Sequence, residues 1–166
     1  KGVFDLAPVW QQVVKNKPNA KLALVGTGPE NLITNLRNQI KNYNLEKNIK
    51  LLGFLPRKKV WETLTQSKVF LFTDHEAGWG LAAAESLAAG TPIVGWDIGV
   101  LGSVFKSGFL VIPQNNYHLF AEKICLLLEN QKLYQKLSKL AKAEAAKFDW
   151  EKISLKFQNI LSKISN

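Results

Sequence analysis

The chain has 166 residues, enough for one domain with a substantial core. It is 46% hydrophobic and 21% charged, and holds no apolar run approaching ~18 residues, so no transmembrane helix is expected. The opening residues do not read as a signal peptide, and the formal charge of +9 is spread over the whole length, densest at "KNK" (15–17) and "RKK" (57–59). A solvated lysine-rich surface explains that charge; a surface for anionic lipid or a phosphorylated ligand is the alternative. No recognised nucleic-acid motif accompanies it.

The first predicted element is a helix from about Phe4 to Lys15. Five short runs then read as strands: "KLALVG" (21–26), "NIKLLGF" (48–54), "KVFLFT" (68–73), "TPIVGW" (91–96) and "FLVIP" (109–113). They are apolar without alternation, as strands covered on both faces of a parallel sheet are. Between them, Leu32, Ile33, Leu36 and Ile40 recur at helical spacing, "KKVWETLTQS" is a shorter helix, and "LAAAESLAAG" stops at Gly90 before Thr91-Pro92. Three helical stretches follow the last strand. In the final one Ile153, Phe157, Ile160, Leu161 and Ile164 form an apolar stripe behind Trp150. The alternation predicts a single α/β domain over 1–166, doubly wound and mostly parallel, with helices on both faces. Such a pattern should open on a strand, so one is expected to precede Lys1. The absence of any methionine likewise suggests a piece of a longer chain.

Cys125, within "KICLLLEN", reads as a small core residue rather than a nucleophile, and one cysteine makes no internal disulfide. A reducing cytoplasm is the expected setting. Peripheral attachment to an anionic membrane through "KLYQKLSKLAKAEAAKF" (132–148) is a separate possibility.

Ligands of such folds bind outside the carboxyl ends of the strands. Two loops there carry candidate residues. "VGTGPE" (25–30) places Gly26 and Gly28 between a strand and a helix, where a ligand can approach the backbone; a plain tight turn is the other reading. "TDHEAGWGL" (73–81) also opens a helix, so that Gly80 and Leu81 would offer N–H groups to a phosphate at the positive end of the helix dipole. Glu85, one turn on, could accept two hydrogen bonds from a vicinal diol such as a ribose, each worth roughly 1.5–3 kcal/mol. Otherwise it is a plain surface helix glutamate. Glu76 is either a helix-start carboxylate or a ligand for a sugar hydroxyl, and Trp79 either a core aromatic or a wall of the pocket. Asp74 and His75, being adjacent, make a poor metal site, and no metal is expected.

At these residues the chain resembles the family-4 glycosyltransferases of the GT-B fold, retaining enzymes that use nucleotide-sugar donors. The likeness runs from "KGVFDLAPVWQQVVKNKPNAKLALVGTGPE" through "IKLLGFL", "HEAGWGLAAAESLAAGTPIVGWD" and "SGFLVIP" to "FDWEKISLKF". It implies the C-terminal, donor-binding half, a Rossmann-like domain whose partner is its own N-terminal, acceptor-shaping domain. Lys1 falls on the lysine that neutralises the donor diphosphate, and Glu85 on the second of two paired glutamates, the one gripping the ribose. Gly80 and Leu81 would meet phosphate through their amides. The turn Gly53-Phe54-Leu55 falls where the base is held, and Gly26 and Gly28 on the cleft floor. Glu76 would be the carboxylate reaching the transferred sugar. The implied donor is a UDP-, GDP- or ADP-sugar, with no cofactor. The chain departs from the family pattern in two places: eight residues, not seven, separate Glu76 from Glu85, leaving Ala77 where the first glutamate belongs, and "IGVLGSV" (98–104) lacks the usual glycine pair and acid. Two other readings stand beside the enzyme fragment: a non-catalytic nucleotide-binding or interaction module, and a sugar epimerase of the same fold. An NAD-binding domain is disfavoured by the missing third glycine and strand-end acid.

Overall fold

The computed structural model of the protein describes residues 2–164. A 3₁₀ turn, Val3–Asp5, leads into α1 (Leu6–Asn16). Strands and helices then alternate as β1 (Leu22–Val25), α2 (Glu30–Asn42), β2 (Ile49–Gly53), α3 (Arg57–Gln66), β3 (Phe70–Phe72), α4 (Leu81–Ala89), β4 (Ile93–Trp96), a short turn α5 (Val100–Ser103) and β5 (Phe109–Ile112). Three helices close the chain: α6 (Tyr117–Glu129), α7 (Gln131–Ala145) and, after a 3₁₀ turn at Ala146–Phe148, α8 (Trp150–Ile164).

Local chemistry sets many of these boundaries. Pro29 and Pro56 stand immediately before α2 and α3, where a missing N–H costs nothing. The Asn116 and Asn130 side chains accept from the amides of Leu119 and Leu133, capping α6 and α7. Gly90 ends α4 in the left-handed region, at φ 79°.

Every strand pairing is parallel, as expected, and helices flank the strands. The strands nevertheless fall into two sheets rather than one: β1 pairs with β2, and β4 lies between β3 and β5. Among the described residues, β1 and β3 each keep one edge without a paired strand. Burial follows from this. All four residues of β4 are buried, whereas in β1 Leu22 and Leu24 face the core and Ala23 and Val25 are exposed. Coverage on both faces therefore holds for the three-stranded sheet and fails for the two-stranded one. The strand expected before Lys1 lies outside the described residues.

One large apolar cluster joins α1, α2 and α6 to the strands through Trp10, Val13, Leu36, Ile40, Trp96, Phe120 and Ile124. A second gathers Phe72, Ala83, Leu87, Ile93, Leu101 and Phe105 beneath α4. Cys125 is buried in the first cluster, and burial pushes its thiol pKa up, as a core residue requires. No helix among the described residues is long and apolar enough to cross a membrane.

Candidate functional site at the strand carboxyl ends

Within each parallel sheet the carboxyl ends share one edge, and the loops leaving β1, β2 and β3 carry the candidate residues. The first two are tied together: the Gly26 amide donates to the Gly53 carbonyl at 2.8 Å. Gly26 has φ 131° and Gly53 φ 65°, so both turns use conformations that side-chain-bearing residues rarely adopt. A Cβ on Gly26 would meet nothing within 4 Å, so the backbone there is open to solvent. Gly28 is exposed too, and Phe54 leaves the β2 turn 76% exposed, with Leu55 half-buried behind it.

The third loop delivers α4. Gly80 sits at φ 82°, ψ 61°, and its carbonyl accepts the first helical bond, from the Ala84 amide at 3.0 Å. The amides of Leu81 and Ala82 thus stand at an exposed helix start with no preceding turn to accept them. A Cβ on Gly80 would approach Val100 Cγ1 at 3.2 Å, so α4 begins close against the β4–β5 connection. Ala83 is fully buried, which lets the helix sit low on the sheet, and Glu85, one turn from Leu81, is half-buried.

Trp79 is held on one side and open on the other. Its ring meets Phe105 and Phe148 edge-on, each at 5.5 Å between centroids, yet the residue stays 41% exposed. It anchors a loop that glycine on either side leaves otherwise loose. Glu76 is exposed. Ala77 instead is half-buried and packs against the second apolar cluster. Lys1 lies outside the described residues.

A further group was not legible in the sequence. Asp5, 7% exposed, accepts from Trp96 Nε1 at 2.9 Å through Oδ2 and from the Tyr117 hydroxyl at 3.1 Å through Oδ1, and its Oδ2 lies 3.0 Å from His75 Nε2. Burial, reinforced by the hydrogen bond to Asp5 and its charge, raises the Tyr117 pKa, so the phenol remains a donor. One carboxylate thereby joins the N-terminal turn, the end of β4, the start of α6 and the β3–α4 loop. No local pattern announces it, because its partners lie as far as 112 residues away.

No three His, Cys, Asp or Glu side chains gather as metal ligands among the described residues. A concavity of about 550 Å³ lies under α8 between Ala143, Ala146, Lys147, Lys152 and Leu155. At the strand ends Gly26, Gly28, Phe54 and Leu81 are exposed.

The family model described as glycosyl transferases group 1 matches residues 1–144. The chain belongs to that family. Among this family's relatives, an uncharacterized glycosyltransferase of Haemophilus influenzae is 30% identical over 97% of this chain and 45% of its own length. Staphylococcus aureus TarM, solved with Fondaparinux, alpha-GlcNAc-glycerol and UDP, superimposes with a TM-score of 0.85 at 26% identity, covering 96% of this chain and 32% of that one. Anabaena HepE, solved with UDP-glucose, gives a TM-score of 0.86 at 22% identity over 98% of this chain and 45% of that one, a likeness of fold alone. The group 1 chain described here spans less than half the length of the curated relatives it matches.

Proposed function

We propose that this chain is the C-terminal, donor-binding domain of a family-4 retaining glycosyltransferase, which moves a sugar from a nucleoside diphosphate onto an acceptor hydroxyl. The observation that carries this reading is the start of α4. Gly80 in the left-handed region presents the helix-start amides at the strand carboxyl ends, and Glu85 follows one turn later. A diphosphate would lie against those amides, where backbone N–H groups and the helix dipole favour negative charge. Glu85 would accept from the ribose hydroxyls. The exposed Phe54 turn and the open backbone at Gly26 and Gly28 would take the base and cleft floor. Lys1 would add positive charge to the leaving diphosphate, and such stabilisation needs no metal. Glu76 would reach the transferred sugar. That TarM and HepE were solved with UDP or UDP-glucose supports a uridine nucleotide as the first ligand to try.

The acceptor side would come from the protein's own N-terminal domain, so the chain alone would bind donor without transferring sugar. The uncovered stripe on α8, including Phe157 at 60% and Ile164 at 76% exposure, is a natural surface for that other half.

Calorimetric titration with UDP, GDP and ADP, without metal, tests the reading. Saturable binding of one nucleotide, weakened about 10-fold or more by Glu85→Ala, is the expected result. Binding indifferent to that substitution would remove the ribose role. No binding by any of the three would count against the donor site.

A further inference from the structure

The carboxylate proposed to meet the sugar stands one residue away from its usual place, and the surroundings of the β3–α4 loop show how that displacement is held. We infer that Asp5 and His75 act as positioning residues that lock the register of this loop, so that Glu76, and not position 77, presents its carboxylate to the transferred sugar. The inference rests on the donor-binding reading above and adds to it a positioning device.

The loop is held at three points. At its near end His75 Nε2 lies 3.0 Å from Asp5 Oδ2, and the His75 carbonyl accepts from Gln114 Nε2 at 3.4 Å. Two residues later Ala77 packs into the apolar cluster beneath α4. At its far end Trp79 is clasped by Phe105 and Phe148. Between these held residues, Glu76 alone at positions 75–77 is a carboxylate, and it is exposed, whereas Ala77 is half-buried. A glutamate at 77 would start from a backbone turned toward the apolar cluster, a setting that disfavours its charged form.

Asp5 suits the task because it cannot easily move. It is buried, and Trp96 and Tyr117 hold both of its oxygens from the first cluster. Gly2 packs so closely that a Cβ there would collide with the Thr73 carbonyl and lie 3.1 Å from Asp5 Oδ2. His75 is therefore tied to a buried carboxylate, in a loop that carries glycine at 78 and 80.

The test compares His75→Ala with His75→Gln, whose amide N–H can still reach Asp5, in the 166-residue chain. Two quantities are read: amide hydrogen exchange over residues 74–78, and the ratio of UDP-glucose to UDP affinity. In His75→Ala, exchange should quicken about 10-fold or more, and the ratio should fall to that of Glu76→Ala while UDP affinity stays within about twofold. His75→Gln should restore both. Moving the carboxylate by Glu76→Ala with Ala77→Glu should not recover the ratio, although it restores the seven-residue spacing.

Unchanged exchange in His75→Ala would overturn the inference whatever the ligand does. So would equal losses of UDP and UDP-glucose affinity, which would make His75 a general support. Recovery by the shifted glutamate would overturn it as well. Failure of the unsubstituted chain to bind UDP would instead strike the UDP-donor reading, with the exchange measurement still deciding whether the clamp exists.

Discussion

The indole N–H of Trp96, at the end of β4, donates to Asp5 Oδ2 at 2.9 Å, joining residues 91 positions apart in the chain. Both side chains are buried, so the pair is shielded from competing water. Asp5→Ala would leave the Trp96 N–H and the Tyr117 hydroxyl without this acceptor. Each hydrogen bond to a charged group is worth roughly 1.5–3 kcal/mol. We expect a loss of about 3 kcal/mol, or ~6–12 °C in Tm for a domain of this size. Asp5→Asn, which keeps an acceptor oxygen, should lose about half as much. Thermal unfolding followed by circular dichroism checks both.

Two glycines with positive φ should respond differently to alanine. Gly26→Ala meets open space and should cost only the strain of its φ of 131°, about 1–2 kcal/mol. Gly108, at φ 90°, lies against α7, and its Cβ would come 2.6 Å from the Ala141 Cα. That contact is with backbone, so either β5 or α7 must shift. Gly108→Ala should therefore cost at least ~2 kcal/mol more than Gly26→Ala. Urea unfolding midpoints would show the difference.

Glu144 is 1% exposed and accepts from the Lys106 amide, the Ser107 hydroxyl and Lys147. Burial alone would raise its pKa, but these hydrogen bonds and the Lys147 charge outweigh burial and hold it below 4.5. The sign follows from linkage: the folded state binds this proton more weakly than the unfolded chain. Its stabilisation is thus complete above pH ~5 and lost as pH falls through the depressed folded pKa. Glu144→Gln should lower stability at pH 7 and flatten its decline as pH falls below about 5. Denaturant titrations across that range would reveal a parallel decline if the carboxylate contributes nothing.

On α8 the apolar residues Ile153, Phe157 and Ile160 are exposed. Replacing Ile153, Phe157 and Ile160 with serine should therefore shift Tm by less than about 2 °C, because surface substitutions seldom exceed ~0.5 kcal/mol each. In a chain that carries the proposed N-terminal half, the same changes should destabilise visibly if α8 packs on that half. Sedimentation with anionic vesicles at low salt separates a lipid partner from a protein one: binding abolished by the triple substitution would favour the membrane.

The order of strands and helices was legible in the sequence, and the reason is local. Continuous apolar runs such as "KVFLFT" must be covered on both sides, while asparagine, proline and glycine mark where helices begin and end. That logic also located the strand-end loops and put Glu85 one turn beyond Leu81 on α4, since helical spacing is a property of neighbouring residues. Cys125 was recognisable as core from its apolar helical setting.

What remained was decided by contacts between distant residues. The division of the strands into two sheets depends on which edges meet, and runs of like composition do not encode pairing. The sequence placed a carboxylate, an alanine and a tryptophan in the β3–α4 loop, but only packing turned Ala77 inward, left Glu76 outside and half-covered Trp79. Nothing local in the sequence marks Asp5, on which Trp96, Tyr117 and His75 converge from three other elements. A pattern of period two or 3.6 reports which side of its own element a residue faces. It carries no information about what another element, folded from a hundred residues further on, will place against that side.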